Sequence, residues 1–237
     1  MKNHILPSML GLALLAGNAS ALTPVKESFT GPTLNATRWF HYHQESGFLG
    51  QNKNKLNYMT QGATTKKDFA SIELMTSYPG YNESWQLTLD LSNKAKGGKK
   101  AACGIMLFNK GDRSDYLFLE FYGTSGIEAG ILTDGVHTKK NHISIPKAAA
   151  KGSLRVSFDK TTKLMSLELS ATNKAEGYKW FPVGTFSPKN SKGANVRANW
   201  KMDPATGSFG VQLFGFGYGV NVAKAKMTYD NLEISAK

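Results

Sequence analysis

Short strand-like runs recur along almost the whole chain, and turn residues separate them. In many of these runs apolar and polar residues alternate, which places one face against a core and the other toward solvent. After the amino terminus, no helix-length segment repeats apolar residues at the 3.6-residue spacing of an amphipathic helix. About a dozen strands without helical crossovers predict antiparallel sheets packed face to face. The sequence therefore predicts an all-β, two-sheet antiparallel β-sandwich.

The amino terminus has the features of a secretory signal. Lys2 precedes an apolar run at 9–16, and residues 19–21 read Ala-Ser-Ala, a cleavage site of the A-x-A type. The apolar run is too short to anchor the chain in a bilayer, and no later stretch is long and apolar enough. We predict a cleavable signal peptide over 1–21 and one secreted or periplasmic domain over 22–237.

Basic residues outnumber acidic ones, 29 against 17, and the net charge is +12. Removal of the first 21 residues would remove Lys2 and no acidic residue, which leaves +11. The lysines are scattered, and no nucleic-acid motif is recognisable. Such a surface favours a polyanionic partner, either by general attraction or at a dedicated site for an acidic glycan. We expect no nucleic-acid partner.

Cys103 is the one cysteine, so the chain can form no internal disulfide. Its neighbours in the run AACGIMLF are apolar, which predicts a small buried residue and not a reactive thiol. The domain must therefore be held together by its core, and a chain of this length can support one.

Several segments resemble the concanavalin A-like lectin/glucanase superfamily. The opening ESFTGPTLNATRWFHY resembles the pattern F-x-G-x-x-L-[DN]-x-x-x-W, with Phe29, Leu34 and Trp39 at its apolar positions. LRVSFD with GYKWFPVG resembles a hairpin of the family, and SFGVQLF with MTYDNLEIS resembles its closing strands. The likeness covers nearly the whole chain after the signal. It implies a LamG-like jelly roll, a fold that hosts lectins, glycosidases, lyases and interaction modules.

The catalytic signatures of that superfamily are missing from the sequence. Family-sixteen glucanases place three acids on one strand as E-x-D-x-x-E or E-x-D-x-E. No such run occurs here, and SIELM, LTLDL, FLEFY and SLELS each carry one acid. The strand motifs of jelly-roll alginate lyases are also absent. The absence of these motifs favours a domain that binds carbohydrate without cleaving it. We expect no cofactor, with calcium as the alternative. A hydrolase or lyase with an unrecognised site is the alternative, with Glu120 paired to Asp90 or His41.

The run DYLFLEFYG, residues 115–123, is the main candidate contact surface. With a period of two, one face is apolar and the other combines large rings with a carboxylate, namely Tyr116, Phe118, Glu120 and Tyr122. Rings stack on the apolar faces of sugars, and carboxylates bind pairs of hydroxyls. In the alternative interpretation, a second layer packs over these rings, for example residues 187–207 with Trp200. Phe118 is the ring most expected to be packed.

Other strands supply further candidates for the same surface. Gln86 and Asp90 would face the same side if their strand shares the sheet of Glu120. Gln212 could join them, and Tyr218 lies in the glycine-rich run GFGYGV, which we interpret as a rim loop.

Two possible metal sites are weaker. His41 and His43 share one face of a strand, but two ligands need a third from elsewhere. Asp112 and Asp115 lie in a turn that could hold calcium, although one loop supplies too few oxygen atoms and Arg113 offsets their charge. We therefore predict an ordinary turn and no bound metal.

The sequence thus predicts an exported lectin-like domain for an acidic polysaccharide or a cell-envelope glycan. An adhesion module that binds protein is a further alternative, which would bind independently of competing sugars.

Overall fold

The computed structural model describes residues 22–61, 68–122, 126–146 and 151–237. The predicted signal peptide lies outside these ranges. Within them, no helix has the length and apolar character needed to cross a membrane. Two short 3-10 turns, Gly98–Lys100 and Lys139–Asn141, are the helical elements of the described chain, and strands make up most of the rest.

The described strands are, in chain order, β1 (Val25–Glu27), β2 (Trp39–Gln44), β3 (Gly47–Asn52), β4 (Lys55–Thr60), β5 (Phe69–Leu74), β6 (Trp85–Asn93), β7 (Ala101–Asn109), β8 (Asp112–Phe121), β9 (Gly126–Leu132), β10 (His142–Pro146), β11 (Lys151–Asp159), β12 (Leu164–Ser170), β13 (Phe181–Ser187), β14 (Val196–Arg197), β15 (Phe209–Gly217) and β16 (Met227–Ala236).

The strands form two sheets. Sheet A has the order β14-β13-β12-β11-β6-β16-β4-β3, with β1 also paired to β16, and sheet B has the order β10-β9-β8-β7-β15-β5-β2. Among the described strands every ladder is antiparallel except the short pair of β13 with β14. The predicted two-sheet antiparallel sandwich is confirmed.

Alternation within each strand separates the core from the outer faces. On β6, every second side chain is buried, namely Trp85, Leu87, Leu89 and Leu91. The Trp85 ring lies 5.7 Å from that of Phe158 in the same sheet and 5.3 Å from that of Phe209 in sheet B, measured between centroids. This aromatic group joins the two sheets.

Cys103 is fully buried on β7, and burial raises the pKa of its thiol well above the ordinary value. A thiol in that environment stays protonated and unreactive. The predicted role as a small apolar core residue agrees with this position.

Residues 187–207 do not form a layer over the outer face of β8. Trp200 is buried in the main core, its ring lies 6.3 Å from that of Phe209, and its indole nitrogen donates to the Leu132 carbonyl at 2.5 Å. Strand β14, which begins at Val196, pairs with β13 at the margin of sheet A. This part of the segment therefore ties the margins of the two sheets together and does not cover the outer face of β8.

Candidate functional site

The strand that carries the main candidate surface, β8, lies inside sheet B between β7 and β9. Its Leu117, Leu119 and Phe121 point into the core. The alternate side chains, Tyr116, Phe118, Glu120 and Tyr122, therefore lie on the face turned away from sheet A. We call this face the outer face of sheet B.

A second carboxylate stands directly beside Glu120. Glu128 on β9 is its cross-strand partner, and side chains opposite each other in an antiparallel pair have Cβ atoms about 4.5–5.5 Å apart. The Tyr122 hydroxyl donates to the Glu120 carboxylate, and Lys99 Nζ lies 3.4 Å from Glu128 Oε2. Lys99 also lies over the Tyr122 ring. The four side chains form one connected polar group. We call Glu120 and Glu128 the carboxylate pair, and Tyr122 and Lys99 are its partners.

The surroundings of Glu120 disfavour its ionised form. Burial raises its pKa to about 7, the Tyr122 hydrogen bond opposes the rise, and the Glu128 carboxylate adds to it. Lys99 opposes it more weakly. Near neutral pH, Glu120 is therefore divided between an acid that can donate a hydrogen bond and a carboxylate that can accept one.

A line of rings crosses the outer face of sheet B beside this pair. It consists of Tyr42, Phe69, Phe214, Phe216 and Tyr218, with successive ring centroids between 4.5 and 6.5 Å apart. Phe214 and Phe216 are almost fully buried by their neighbours, whereas Tyr42 and Tyr218 are 46% and 44% exposed. We call this line the aromatic strip. Its two ends are free to stack against a ligand.

An open cleft of about 480 Å³ adjoins the carboxylate pair on the other side. Glu128, His137, Thr138, His142 and Ser144 line it. The two imidazole rings stack with centroids 5.6 Å apart, and His142 Nδ1 lies 2.6 Å from the Thr138 carbonyl oxygen. That contact holds the ring in place.

Phe118 is 4% exposed, as predicted for the packed ring of β8. Its ring lies 5.4 Å from that of His142 and covers Gly130, where an added Cβ would come within 2.6 Å of the ring. A glycine on β9 thus makes room for the ring, which separates Tyr116 from the carboxylate pair.

Several solved structures share this architecture. Lectin II from Ulex europaeus superimposes with a TM-score of 0.59 at 11% identity, over 92% of this chain and 100% of the lectin. The Bacillus licheniformis β-glucanase gives 0.55 at 10% identity, over 90% and 98% of the two chains. The endo-1,3-β-glucanase of Streptomyces sioyaensis gives 0.53 at 11% identity, over 92% and 97%. No family model and no curated protein matches the sequence.

The chain has the concanavalin A-like lectin/glucanase fold. A lectin and two glucanases have this fold in common, so the fold alone does not distinguish binding from hydrolysis and assigns neither to this chain. That distinction depends on the side chains of the outer face.

Within this concanavalin A-like sandwich, Gln212 and Tyr218 lie on the same outer face as Glu120. Gln212 is in register with Glu73 on one side and Met106 on the other, and its amide donates to Ser71 Oγ at 2.8 Å. Tyr116, Glu120, Tyr122, Gln212 and Tyr218, which were proposed as ligand contacts, thus lie on one face of the sandwich. Their role in binding stays a prediction.

Gln86 and Asp90 do not belong to this group. Both lie on β6, which is in sheet A, so the condition that they share a sheet with Glu120 is not met. Asp90 accepts hydrogen bonds from Ser153 Oγ at 2.5 Å and from Asn231 Nδ2 at 2.8 Å. It organises the outer face of sheet A and cannot assist Glu120.

His41 is also separated from Glu120. It pairs with core-facing Ile72, its ring packs 5.4 Å from that of Phe48, and burial followed by the charge of His43 lowers its pKa. The two histidines therefore lie on the opposite face of β2 from Tyr42. The prediction that His41 could serve as a catalytic partner of Glu120 is wrong for this reason.

Asp134, in the connection after β9, lies close to Asp112 and Asp115. Side-chain oxygens of the three residues lie within 4.8 Å of one another. Asp112 accepts from Ser114 at 2.6 Å, and the buried Asp115 accepts from the Asp134 main-chain nitrogen at 3.1 Å. Three carboxylates supply fewer ligands than the six to eight oxygens that calcium takes. A calcium ion at this turn therefore stays an alternative to the predicted metal-free turn.

Sequence analysis singled out neither Glu128 nor His142. Glu128 stands in an otherwise apolar run, GIEAGIL, and that lone acid was the available signal. Its importance depends on the register of β9 against β8, which a single sequence does not reveal.

Proposed function

We propose that this chain is a domain that binds carbohydrate on the outer face of sheet B without cleaving it. The observation that carries the proposal is the aromatic strip beside the carboxylate pair on one accessible face. The exposed rings of Tyr42 and Tyr218 offer flat apolar surfaces to sugar rings. Glu120, Glu128 and Gln212 offer groups that bind hydroxyls between those rings.

The finer part of the proposal concerns the polymer and the compartment. The excess of basic residues supports an acidic polysaccharide or a cell-envelope glycan, because long-range attraction speeds the encounter with an anionic polymer. The signal-like amino terminus supports an exported protein, secreted or periplasmic.

Affinity electrophoresis through gels that contain neutral or acidic polysaccharides tests this function. We expect one polymer to retard the protein at both low and moderate salt. Tyr42→Ala and Glu128→Gln should each weaken that binding by about 1–3 kcal/mol, which is roughly tenfold to a hundredfold. Phe181→Ala is the matched control, since its ring is 63% exposed on sheet A. Equal losses in all three variants, or no retardation by any polymer, would refute the proposal.

One observation favours a glycoside hydrolase as the second candidate. Glycoside hydrolysis needs one carboxylic acid and one carboxylate, and the raised pKa of Glu120 beside Glu128 offers such a pair. In that case Glu120 would be the general acid and Glu128 the nucleophile or base.

Release of new reducing ends from a bound polymer separates the two candidates. A hydrolase should release them, and Glu120→Gln should reduce the rate by about a hundredfold to ten-thousandfold. A lectin should release none, while Glu120→Gln changes its affinity only modestly. An unsaturated product would instead indicate a lyase.

A further inference from the structure

A second cleft lies on the outer face of sheet A, on the opposite side of the sandwich. Its volume is about 480 Å³, and four lysines line it, namely Lys53, Lys55, Lys94 and Lys151. They come from the β3–β4 turn, the end of β6 and the start of β11. We call it the lysine cleft. The site on sheet B uses none of these residues.

The loops around the lysine cleft are held in a fixed arrangement. Asn57 is 2% exposed, and its amide nitrogen donates to the carbonyls of Asn52 at 3.2 Å and Lys55 at 2.9 Å. Its amide oxygen accepts from the Ala225 main-chain nitrogen at 3.1 Å. The buried amide therefore joins the β3–β4 turn to the β15–β16 connection.

A main-chain bond adds the end of β6 to this arrangement. The Lys94 nitrogen donates to the Lys226 carbonyl at 2.7 Å. Lysines distant in sequence are therefore brought side by side by the backbone, before any ligand is present.

The acidic residues of the cleft are already engaged. Besides its bonds to Ser153 and Asn231, Asp90 accepts from the Lys174 main-chain nitrogen at 3.3 Å. Asp230 pairs with Lys55 at 3.2 Å.

The remaining acid, Glu176, pairs with Lys151 at 3.5 Å. Lys53 and Lys94 are exposed, and neither forms an ion pair with any residue that the structure describes. Asp90 keeps its negative charge, because its hydrogen-bond donors are neutral groups. The two unpaired lysines outweigh it, and four lysines against three acids leave the lining net positive.

We infer that the lysine cleft is an anion site that binds the sulfate or carboxylate groups of an acidic polysaccharide. Ammonium groups on fixed loops attract such groups, and Asn173 and Thr228 of the lining can add hydrogen bonds to them. The inference rests on the proposed function in one respect, that the anion belongs to a polysaccharide. The lysine cleft would then bind acidic groups independently of the sugar-binding face of sheet B.

Titration of the purified protein with dextran sulfate and with uncharged dextran tests the site. We expect Lys53→Gln/Lys94→Gln to weaken dextran sulfate binding about three- to tenfold at low salt. Lys160→Gln/Lys192→Gln removes the same charge from exposed lysines outside the cleft, neither of which is ion-paired in the described chain. This control should change the affinity by less than twofold.

Two results would overturn the inference. An equal loss in both double variants would show that net charge alone attracts the polymer, and an unchanged affinity in the cleft variant would place the anion elsewhere. Anionic vesicles of phosphatidylglycerol supply a third arm. If the cleft variant lost vesicle binding and kept dextran sulfate binding, the anion would be a lipid headgroup and the assignment would be wrong.

The same variants keep this inference distinct from the proposed function. Tyr42→Ala and Glu128→Gln should leave dextran sulfate binding unchanged, because both residues lie on sheet B. If only the sheet B variants lose binding to the retarding polysaccharide, the result supports the proposed function. If only the cleft variant loses dextran sulfate binding, the result supports the anion site.

Discussion

Replacement of Trp85 by alanine is expected to lower the free energy of unfolding by about 3–5 kcal/mol. The indole is fully buried, packs against Phe158 and Phe209, and donates to the Gly80 carbonyl at 3.2 Å. Its removal leaves a cavity where the two sheets meet and an unpaired carbonyl. Urea unfolding followed by far-ultraviolet circular dichroism measures the loss without relying on tryptophan fluorescence.

Trp180→Ala provides the matched comparison. This indole is half-buried on the outer face of sheet A. The guanidinium carbon of Arg155 lies 4.5 Å from the centroid of the indole ring. We expect a loss of about 1 kcal/mol, the size of an exposed cation–π contact. Equal losses in the two variants would contradict the view that the inter-sheet aromatic group is the centre of the core.

Glu120→Gln is expected to remove a pH dependence of stability. The native pKa of Glu120 is about 7 and its ordinary value is 4.5. Between these values the native state holds a proton that the unfolded chain has lost, so stability falls as the pH rises from about 4.5 to 7. The group should contribute at most about 3 kcal/mol to this fall. Glutamine keeps an oxygen that can accept the Tyr122 hydrogen bond and carries no charge.

Unfolding free energies at pH 5 and pH 8 measure the effect. The wild-type protein should lose more stability over this interval than Glu120→Gln, and the variant should be the more stable of the two at pH 8. Glu45→Gln is the control, since Glu45 is an exposed acid in the β2–β3 turn and should leave the pH profile unchanged. A profile unaltered by Glu120→Gln would mean that Glu120 is well solvated.

Much of the local structure followed from residue spacing. Period-two alternation separated the two faces of β8, and the buried Cys103 and the packed Phe118 were each predicted correctly. The grouping of Gln86 and Asp90 with Glu120 was wrong, since alternation assigns a side chain to a face without assigning the strand to a sheet. The role proposed for His41 failed for a related reason, because its face of β2 turns toward Phe48.

The absence of helical periodicity was enough to predict an all-β sandwich, and the order of the strand motifs carried the resemblance to the concanavalin A-like kind. Which side chains meet depends on the tertiary structure. The gathering of lysines around Asn57 depends on strands that are distant in the chain. The pairing of Glu128 with Glu120 lies within one hairpin and depends on the register of β9 against β8. Strand pairing is settled by the packing of two whole sheets against each other, so the candidate sites could not be read from any one segment.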